Sequence, residues 1–393
     1  MSKLAQFYLG FSYVPGIGPT RFDTLLRTFG TVDKAYFAPE TAIIHAIGPH
    51  FGQTFLSLRS ALDPVQEIER LYKQGIMVID REDDRYPQNL KEISDPPICL
   101  YVKGDISRYD WESDFLFAVV GTRNPTEYGK MITTKFSREL AENNAVIVSG
   151  MAMGVDALAH WAAIHAGKRT IAFLGCGVNI VYPAVNSFLY KEILRTGGLI
   201  ISEFPPDKRT IKGHFIARNR LISGISKGVL VPEGVIDSGS LITARYALSQ
   251  GKDVFAPPSP INSAFSKAPN LLLKEGAKLV TEVDDILMEF QMKNVSVQKL
   301  PVLTDIEREQ CYTCTPIILD YSKFCKNCNT DNLYKVSYSS KLPTKCLHCG
   351  FDTAEEKYIP MGIYEKRPTL KGEGRELLNR IKKRNYGSTM PDY

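Results

Sequence analysis

Short apolar runs alternate with helix-length amphipathic segments over the middle of the chain, from about residue 74 to residue 291. Runs this short and this apolar are typical of strands buried on both faces, and the helical segments between them indicate βαβ units. We expect strands at residues 74–79, 98–102, 115–120, 145–148, 170–174, 199–201, 229–231 and 252–256. We expect crossover helices at residues 125–143, 153–166, 184–195 and 240–250, with further helices near 269–275 and 283–291. The pattern predicts an α/β fold built on a mostly parallel sheet.

Glycine-rich or polar turns follow four of these strands. They lie at residues 149–154, 175–177, 202–205 and 232–240. In a parallel sheet such turns meet at one edge, where ligands bind. Glycine lets backbone N–H groups approach an anion, and a helix N-terminus adds partial positive charge. The turns favour a ligand that carries phosphate, although for any single turn the glycines can simply close the chain.

Basic residues sharpen this expectation. Arg123 follows the strand at 115–120, Lys168 and Arg169 stand just before the strand at 170–174, and Arg218-Asn219-Arg220 opens a helical stretch. Arginine binds phosphate in a bidentate manner and stacks on bases. Three basic groups near one sheet edge predict a groove for a polyanion. The sequence contains no pattern typical of a catalytic triad or of a metal-dependent hydrolase.

The first 70 residues have a helical pattern. The segment Gly16-Ile-Gly18 is followed by apolar residues at helical spacing, and a weaker copy of the pattern contains Gly48. A helix, a tight glycine hairpin and a second helix form the helix-hairpin-helix pattern, which points backbone N–H groups at DNA phosphates without reading sequence. The alternative is a small helical bundle in which the glycines only turn the chain.

Length and composition limit the remaining possibilities. A chain of 393 residues is long enough for two or three domains. The formal net charge of +5 permits a nucleic-acid partner without requiring one. The sequence has no apolar run of membrane-spanning length and no signal-peptide core at its start, so we expect a cytoplasmic protein without a membrane partner.

Cysteines are concentrated after residue 300. They form three Cys-x-x-Cys pairs: Cys311 with Cys314, Cys325 with Cys328, and Cys346 with Cys349. Two such pairs complete a tetrahedral zinc site, and in this compartment a metal is favoured over disulfides or redox chemistry. Six ligands exceed one zinc ion. Because residues 346–350 are similar to a zinc-ribbon knuckle, the second and third pairs are our first choice.

These features predict four regions. They are a helical region at 1–70, the sheet region at 71–295, a cysteine-rich zinc-ribbon-like module at 301–358 and a basic tail at 359–393. The tail is either a solvated charged segment or a source of additional phosphate contacts.

The motifs of the first 290 residues resemble those of the DNA-processing protein A family, also called DprA or Smf. The matching segments are Tyr86-Pro87, Asp95-Pro-Pro97, residues 100–105, Gly121-Thr-Arg123, Tyr128-Gly129, residues 149–156, Ala159-His160, Gly175-Cys-Gly177, Tyr182-Pro183, Asn186, Ser202-Glu203, Pro205, Arg218-Asn-Arg220 and residues 238–244. Their order and spacing both agree with the family, and the resemblance covers about residues 10–290. The cysteine-rich module departs from it, since many members end in a winged-helix-like domain.

The resemblance implies an extended Rossmann-like domain that binds single-stranded DNA and breaks no bond. It also implies a dimer that protects incoming strands during natural transformation and loads a RecA-type recombinase onto them. By motif match, Arg123, Lys168 or Arg169, Arg218 and Arg220 would contact the strand. Ser149, Gly150 and Ser238 would donate hydrogen bonds to phosphate, and Asn219 belongs to the same matched motif.

Two alternatives remain open. The sheet pattern also resembles lysine-decarboxylase-like nucleotide phosphoribohydrolases, although the glutamate that follows their glycine-rich turn is absent from residues 237–243. A nucleotide-sensing module would use the same edge to hold a small nucleotide. Binding that strengthens with strand length would separate a DNA groove from either alternative.

Overall fold

The computed structural model describes residues 2–236 and 238–291, together with the backbone of four two-residue strands between residues 333 and 358. The chain divides into two compact units, Met1–Val295 and Ser296–Tyr393. In the second unit the four strands form an antiparallel sheet in the order β10 (Leu333–Tyr334), β11 (Lys345–Cys346), β12 (Phe351–Asp352) and β13 (Lys357–Tyr358). The predicted zinc ligands lie outside the described residues, except that the backbone of Cys346 belongs to β11.

A nine-stranded sheet organises the first unit, in the order β1-β2-β6-β5-β4-β3-β7-β8-β9. Its strands are β1 (Met77–Asp80), β2 (Cys99–Lys103), β3 (Phe115–Val119), β4 (Ala145–Ser149), β5 (Thr170–Phe173), β6 (Leu199–Ser202), β7 (Gly228–Leu230), β8 (Asp253–Ala256) and β9 (Lys278–Leu279). Strands β3 to β9 pair in parallel, whereas β1 pairs with β2 and β2 pairs with β6 in antiparallel fashion. The predicted mostly parallel α/β sheet is therefore confirmed.

Fourteen helices of the described residues surround this sheet. They are α1 (Ala5–Ser12), α2 (Pro19–Phe29), α3 (Val32–Tyr36), α4 (Glu40–Ile47), α5 (Pro49–Ala61), α6 (Pro64–Lys73), α7 (Gln88–Lys91), α8 (Glu127–Glu142), α9 (Val155–His165), α10 (Ser187–Arg195), α11 (Lys212–Ile225), α12 (Gly239–Ser249), α13 (Lys267–Lys274) and α14 (Asp284–Glu289). Short 3₁₀ turns precede α10 and α13. Within these residues no helix is both long enough and apolar enough to cross a membrane.

The six N-terminal helices share a hydrophobic core with one face of the sheet. Phe11, Phe22 and Phe55 are buried in the same cluster as Tyr101 of β2 and Ile200 of β6. Two further clusters cover the rest of the sheet. This shared burial fixes the helical region against the strands.

The first predicted glycine hairpin is present between α1 and α2. Gly16 has φ 87°, a left-handed value that glycine adopts without a Cβ penalty. The Phe51 ring packs so closely that a Cβ at Gly16 would lie 2.3 Å from its edge. A side chain at this position would have to displace that ring, so this glycine is fixed by both backbone and packing.

Candidate nucleic-acid interface

Loops that follow five parallel strands lie side by side along one edge of the sheet. We call this surface the carboxyl rim, and it comprises residues 121–126, 150–154, 175–183, 203–215 and 231–236. The rim follows from strand direction, because every parallel strand presents its carboxyl end to the same edge.

The turn after β4 has an unusual backbone at the centre of the rim. Met151 has φ 57° and Gly154 has φ 76°. The Asn186 side chain holds the turn by donating to the carbonyl oxygens of Met151 at 2.9 Å and Ala152 at 3.2 Å. Within the described residues, the N–H groups of Met153 and Gly154 make no hydrogen bond. A held turn with bare N–H groups at the start of α9 is suited to an anion.

Arg123 is the exposed cation beside this turn. Its guanidinium lies 5.6 Å from the centroid of the Phe215 ring, and that ring lies 5.4 Å from the ring of Tyr182. Arg123, Gly150, Tyr182 and Phe215 line a small cavity of about 30 Å³. In the part of the chain that the structure describes, Arg123 has no carboxylate partner. A cation and aromatic rings therefore lie together around this cavity, and the same combination occurs in sites that stack nucleic-acid bases.

Arg218 lies behind the turn and is only 4% exposed. Its Nη1 donates to the Phe173 carbonyl at 2.7 Å, and a Cβ at Gly150 would lie 1.8 Å from that nitrogen. Burial lowers the pKa of the Arg218 guanidinium, and the nearby Asp156 carboxylate acts against this shift. This geometry gives a strand no direct access to Arg218, since the backbone of Gly150 covers its guanidinium. Arg218 instead supports the turn from beneath.

Arg220 is buried in an ion cluster. Its Nη1 and Nη2 atoms donate to Glu203 at 2.6 and 2.7 Å, and its Nε donates to Asp95 at 2.7 Å. The side chain is 3% exposed and contributes to the floor of a groove of about 790 Å³ beside the hairpin between α1 and α2. This geometry also leaves the Arg220 guanidinium unavailable to a strand, because two carboxylates already bind it.

Two predicted hydrogen-bond donors serve the fold instead of the surface. The Ser149 hydroxyl is fully buried and donates to the Val119 carbonyl at 2.6 Å, which joins β4 to β3. The Asn219 amide is 8% exposed and donates to the Gly239 carbonyl at 3.1 Å, which joins α11 to α12. Both groups are therefore outside the surface that a strand can reach.

Lys168 and Arg169 lie at the opposite end of the sheet. They precede Thr170 at the start of β5, whereas Arg123 follows the end of the parallel strand β3. The Lys168 amine donates to the Asn144 side chain at 2.9 Å. Arg169 pairs with Asp114 at 3.2 Å and lies 4.4 Å from the ring centroid of Tyr109. The expectation that these residues share one edge with Arg123 is wrong.

The family assignment agrees with this architecture. The model of the DNA recombination-mediator protein A family matches residues 77–291, which is more than half of the 393-residue chain. This chain belongs to that family. The matched segment contains every strand of the large sheet and the whole carboxyl rim.

Curated relatives and a solved structure cover much of the chain. The DNA processing protein DprA of Bacillus subtilis is 40% identical over 57% of this chain and 74% of its own length. Protein Smf of a Synechocystis strain is 34% identical over 72% of this chain and 71% of its own length. The X-ray structure of DNA processing protein A from Streptococcus pneumoniae is 34% identical, with a TM-score of 0.63 over 74% of this chain and 99% of that chain.

Ser238 is the remaining predicted residue, and it does lie next to the rim. It immediately precedes α12, and its hydroxyl shares a 2.7 Å hydrogen bond with the Ser240 hydroxyl. The side chain is partly exposed. One lone pair or proton of this hydroxyl therefore remains available to a ligand at the edge of the rim.

The structure adds a basic loop that the sequence interpretation missed. Lys208, Arg209 and Lys212 follow β6 and are exposed. Within the described residues, none of their side chains has a carboxylate within ion-pair distance. The carbonyl of Lys208 accepts the Gly177 N–H at 2.9 Å, which ties this loop to the one after β5. The sequence signal for this loop is a group of three cations within five residues, which begins six positions after the end of a buried strand.

Proposed function

We propose that the protein binds single-stranded DNA along the carboxyl rim and breaks no bond there. The observation that carries this proposal is the grouping of Arg123, Phe215 and Tyr182 next to the bare N–H groups of the turn at 150–154. Guanidinium and N–H groups bind phosphate, and rings stack on bases of any identity. Such a surface binds unpaired strands with little sequence preference.

The proposed contact set differs from the one that the sequence predicts. Arg123, Gly150 and Ser238 remain in it, and Lys208, Arg209 and Lys212 join it because their charges are exposed at the same rim. Arg218 supports the turn at 150–154 from beneath, without touching the strand. Family membership supports a DNA-directed role, since curated relatives are named DNA processing proteins.

The direct test is binding of a fluorescent oligothymidylate, measured by anisotropy with Arg123→Ala and with Lys168→Ala as the matched control. Loss of a charged contact costs about 1.5–3 kcal/mol, so we expect Arg123→Ala to raise Kd about 10- to 100-fold. Lys168→Ala should leave Kd unchanged, because that side chain lies at the other end of the sheet. Equal effects of the two variants would refute the rim assignment.

Strand length separates this proposal from a nucleotide-binding or nucleotide-hydrolysing role. A groove that stacks several bases gains affinity as the oligonucleotide grows. A mononucleotide pocket gives the same affinity for one nucleotide and for a long strand. Length-independent binding, or steady release of base from nucleoside monophosphates, would favour the alternative.

Three further properties are proposals that rest on the family resemblance or on the cysteine pattern. We propose that the protein acts in natural transformation as a homodimer and loads a RecA-type recombinase. Light scattering tests the dimer, and the rate of recombinase filament growth on strands covered by a single-strand-binding protein tests the loading. We also propose that the cysteine pairs after residue 300 bind zinc, which elemental analysis of the native protein and of Cys346→Ser would detect.

A further inference from the structure

We infer that Glu233 is a positioning residue that holds Arg123 in its binding orientation at the carboxyl rim. The inference rests on the proposed function, because it assigns Glu233 a role in the same strand contact. Glu233 follows β7, the neighbour of β3, and it is 1% exposed. A carboxylate this close to a polyanion site opposes binding by its charge, so its presence there calls for a physical reason.

The carboxylate of Glu233 holds the far end of the turn that carries Arg123. One oxygen accepts the backbone N–H of Thr126 at 2.8 Å, and the other accepts the Thr126 hydroxyl at 2.5 Å. The same hydroxyl accepts the N–H of Gly129 at 3.2 Å, which caps helix α8. A Cβ at Gly129 would lie 2.0 Å from a Glu233 oxygen, so no larger residue fits there. The acid thus fixes both the end of the turn and the start of the helix.

The backbone of Glu233 holds the near end of the same turn. Its carbonyl accepts the N–H of Thr122 at 2.9 Å, and the Thr122 carbonyl in turn accepts the N–H of Val155 at 3.1 Å. On the other side, a Cβ at Gly154 would lie 2.6 Å from the Arg123 carbonyl oxygen. The turn is therefore held between the segments that follow β7 and β4, and the Arg123 side chain is exposed.

Glu233 itself has a fixed position. The N–H of the next residue, Gly234, donates to the Phe265 carbonyl at 2.7 Å, and the Gly234 carbonyl accepts the N–H of Ala268 at 2.9 Å. These bonds anchor the loop after β7 to the segment that leads into α13. The carboxylate cannot turn to solvent without breaking both of its bonds to Thr126.

The charge of Glu233 and its positioning role predict opposite changes in the Kd for DNA when Glu233 is replaced. Replacing Glu233 by glutamine removes a carboxylate beside a site for phosphate, and Coulomb's law alone predicts tighter strand binding. The positioning role predicts weaker binding, because the glutamine NH2 group that replaces one carboxylate oxygen is a donor and leaves the Thr126 hydroxyl proton without its acceptor. The sign of the change in Kd therefore distinguishes the two effects.

The experiment measures Kd for labelled oligothymidylate over a range of salt concentrations, with the full chain carrying Glu233→Gln. We expect Kd to rise about tenfold, and the slope of log K against log salt to fall in magnitude by about 0.7, the value for one lost phosphate contact on a single strand. The matched control is Glu127→Gln, which removes the same negative charge. The Glu127 side chain is 91% exposed at the start of α8 and does not hold the turn. The control should bind as well as the native chain.

A second pair of variants covers the case in which Glu233→Gln fails to fold, which thermal unfolding would show. Thr126→Val removes the hydroxyl from the other side of the contact and should weaken binding, whereas Thr126→Ser retains the hydroxyl and should restore it. In an Arg123→Ala background, Glu233→Gln should cause no further loss of strand affinity, because both substitutions remove the same contact between Arg123 and a phosphate.

Unchanged or tighter binding by folded Glu233→Gln or Thr126→Val, with Arg123→Ala still impaired, would overturn this inference and leave the proposed function standing. Full affinity of Arg123→Ala would instead refute the proposed function.

Discussion

The two ends of the parallel strands both carry arginine, and they use it differently. At the amino end Arg169 is paired with Asp114 and packed on Tyr109. At the carboxyl end Arg123 has an aromatic neighbour and, within the described residues, no carboxylate. An exposed cation without an internal partner breaks no internal ion pair when it binds a phosphate, whereas a paired one must first give up its contacts. If the proposed function holds, the presence or absence of an internal carboxylate partner separates strand-binding arginines from structural ones.

The largest effect is expected at the ion cluster of Arg220, where a fully paired arginine lies directly behind the rim. Arg220→Met should leave Glu203 buried without its partner and lower the free energy of unfolding by about 3–5 kcal/mol. Urea denaturation measures the loss. If the variant keeps its stability and loses strand affinity, Arg220 is a binding residue and the distinction fails.

A buried histidine interacts with groups at both ends of the strands, and it makes the stability of the protein depend on pH. His160 of α9 shares a 2.7 Å hydrogen bond with Thr170, the neighbour of Arg169. Burial lowers the pKa of its imidazole to about 3, and the Arg218 charge adds to the effect. In the unfolded chain the imidazole titrates near 6.5, so the unfolded state binds a proton that the folded state rejects.

The stability that this group contributes is therefore complete above about pH 6.5. It falls by up to about 1.4 kcal/mol per pH unit as the pH drops towards 3. Denaturation of the native chain and of His160→Gln between pH 6.5 and pH 4.5 measures the difference in slope. If the free energy of unfolding changed with pH to the same extent in both proteins, His160 would not be staying neutral in the folded protein.

The smallest effect is expected at the amino end. Arg169→Ala removes a partly exposed ion pair and a ring contact, which together contribute about 1 kcal/mol or less to stability. Strand affinity should stay within about twofold of the native value, because the side chain lies at the end of β5 opposite to the rim. An affinity loss as large as that of Arg123→Ala would show that the strand crosses both ends of the sheet.

Much of the fold is predictable from local patterns. The buried strands and their crossover helices follow from hydrophobic runs and glycine turns, and Gly150 and Arg123 follow from their places after β4 and β3. Strand β9 is only two residues long, Lys278–Leu279, so it has no periodicity to detect. Its position depends on parallel pairing with β8.

The roles of the other arginines depend on contacts that no local pattern reveals. Arg220 is neutralised in part by Asp95, which is 125 positions away in sequence. Arg218, two residues earlier, is buried against Gly150 by the path of α11. The location of Lys168 and Arg169 is predictable from the sequence, since residues that precede a parallel strand lie at its amino end.

Hydrogen–deuterium exchange of the native protein with and without a long oligothymidylate tests the central claim most directly. We expect slower exchange in the segments 121–129, 150–157 and 205–215, which carry the rim. The segments 105–114 and 166–170 at the amino end should exchange equally in both states. Protection confined to the amino-end segments, with the rim unchanged, would contradict the account.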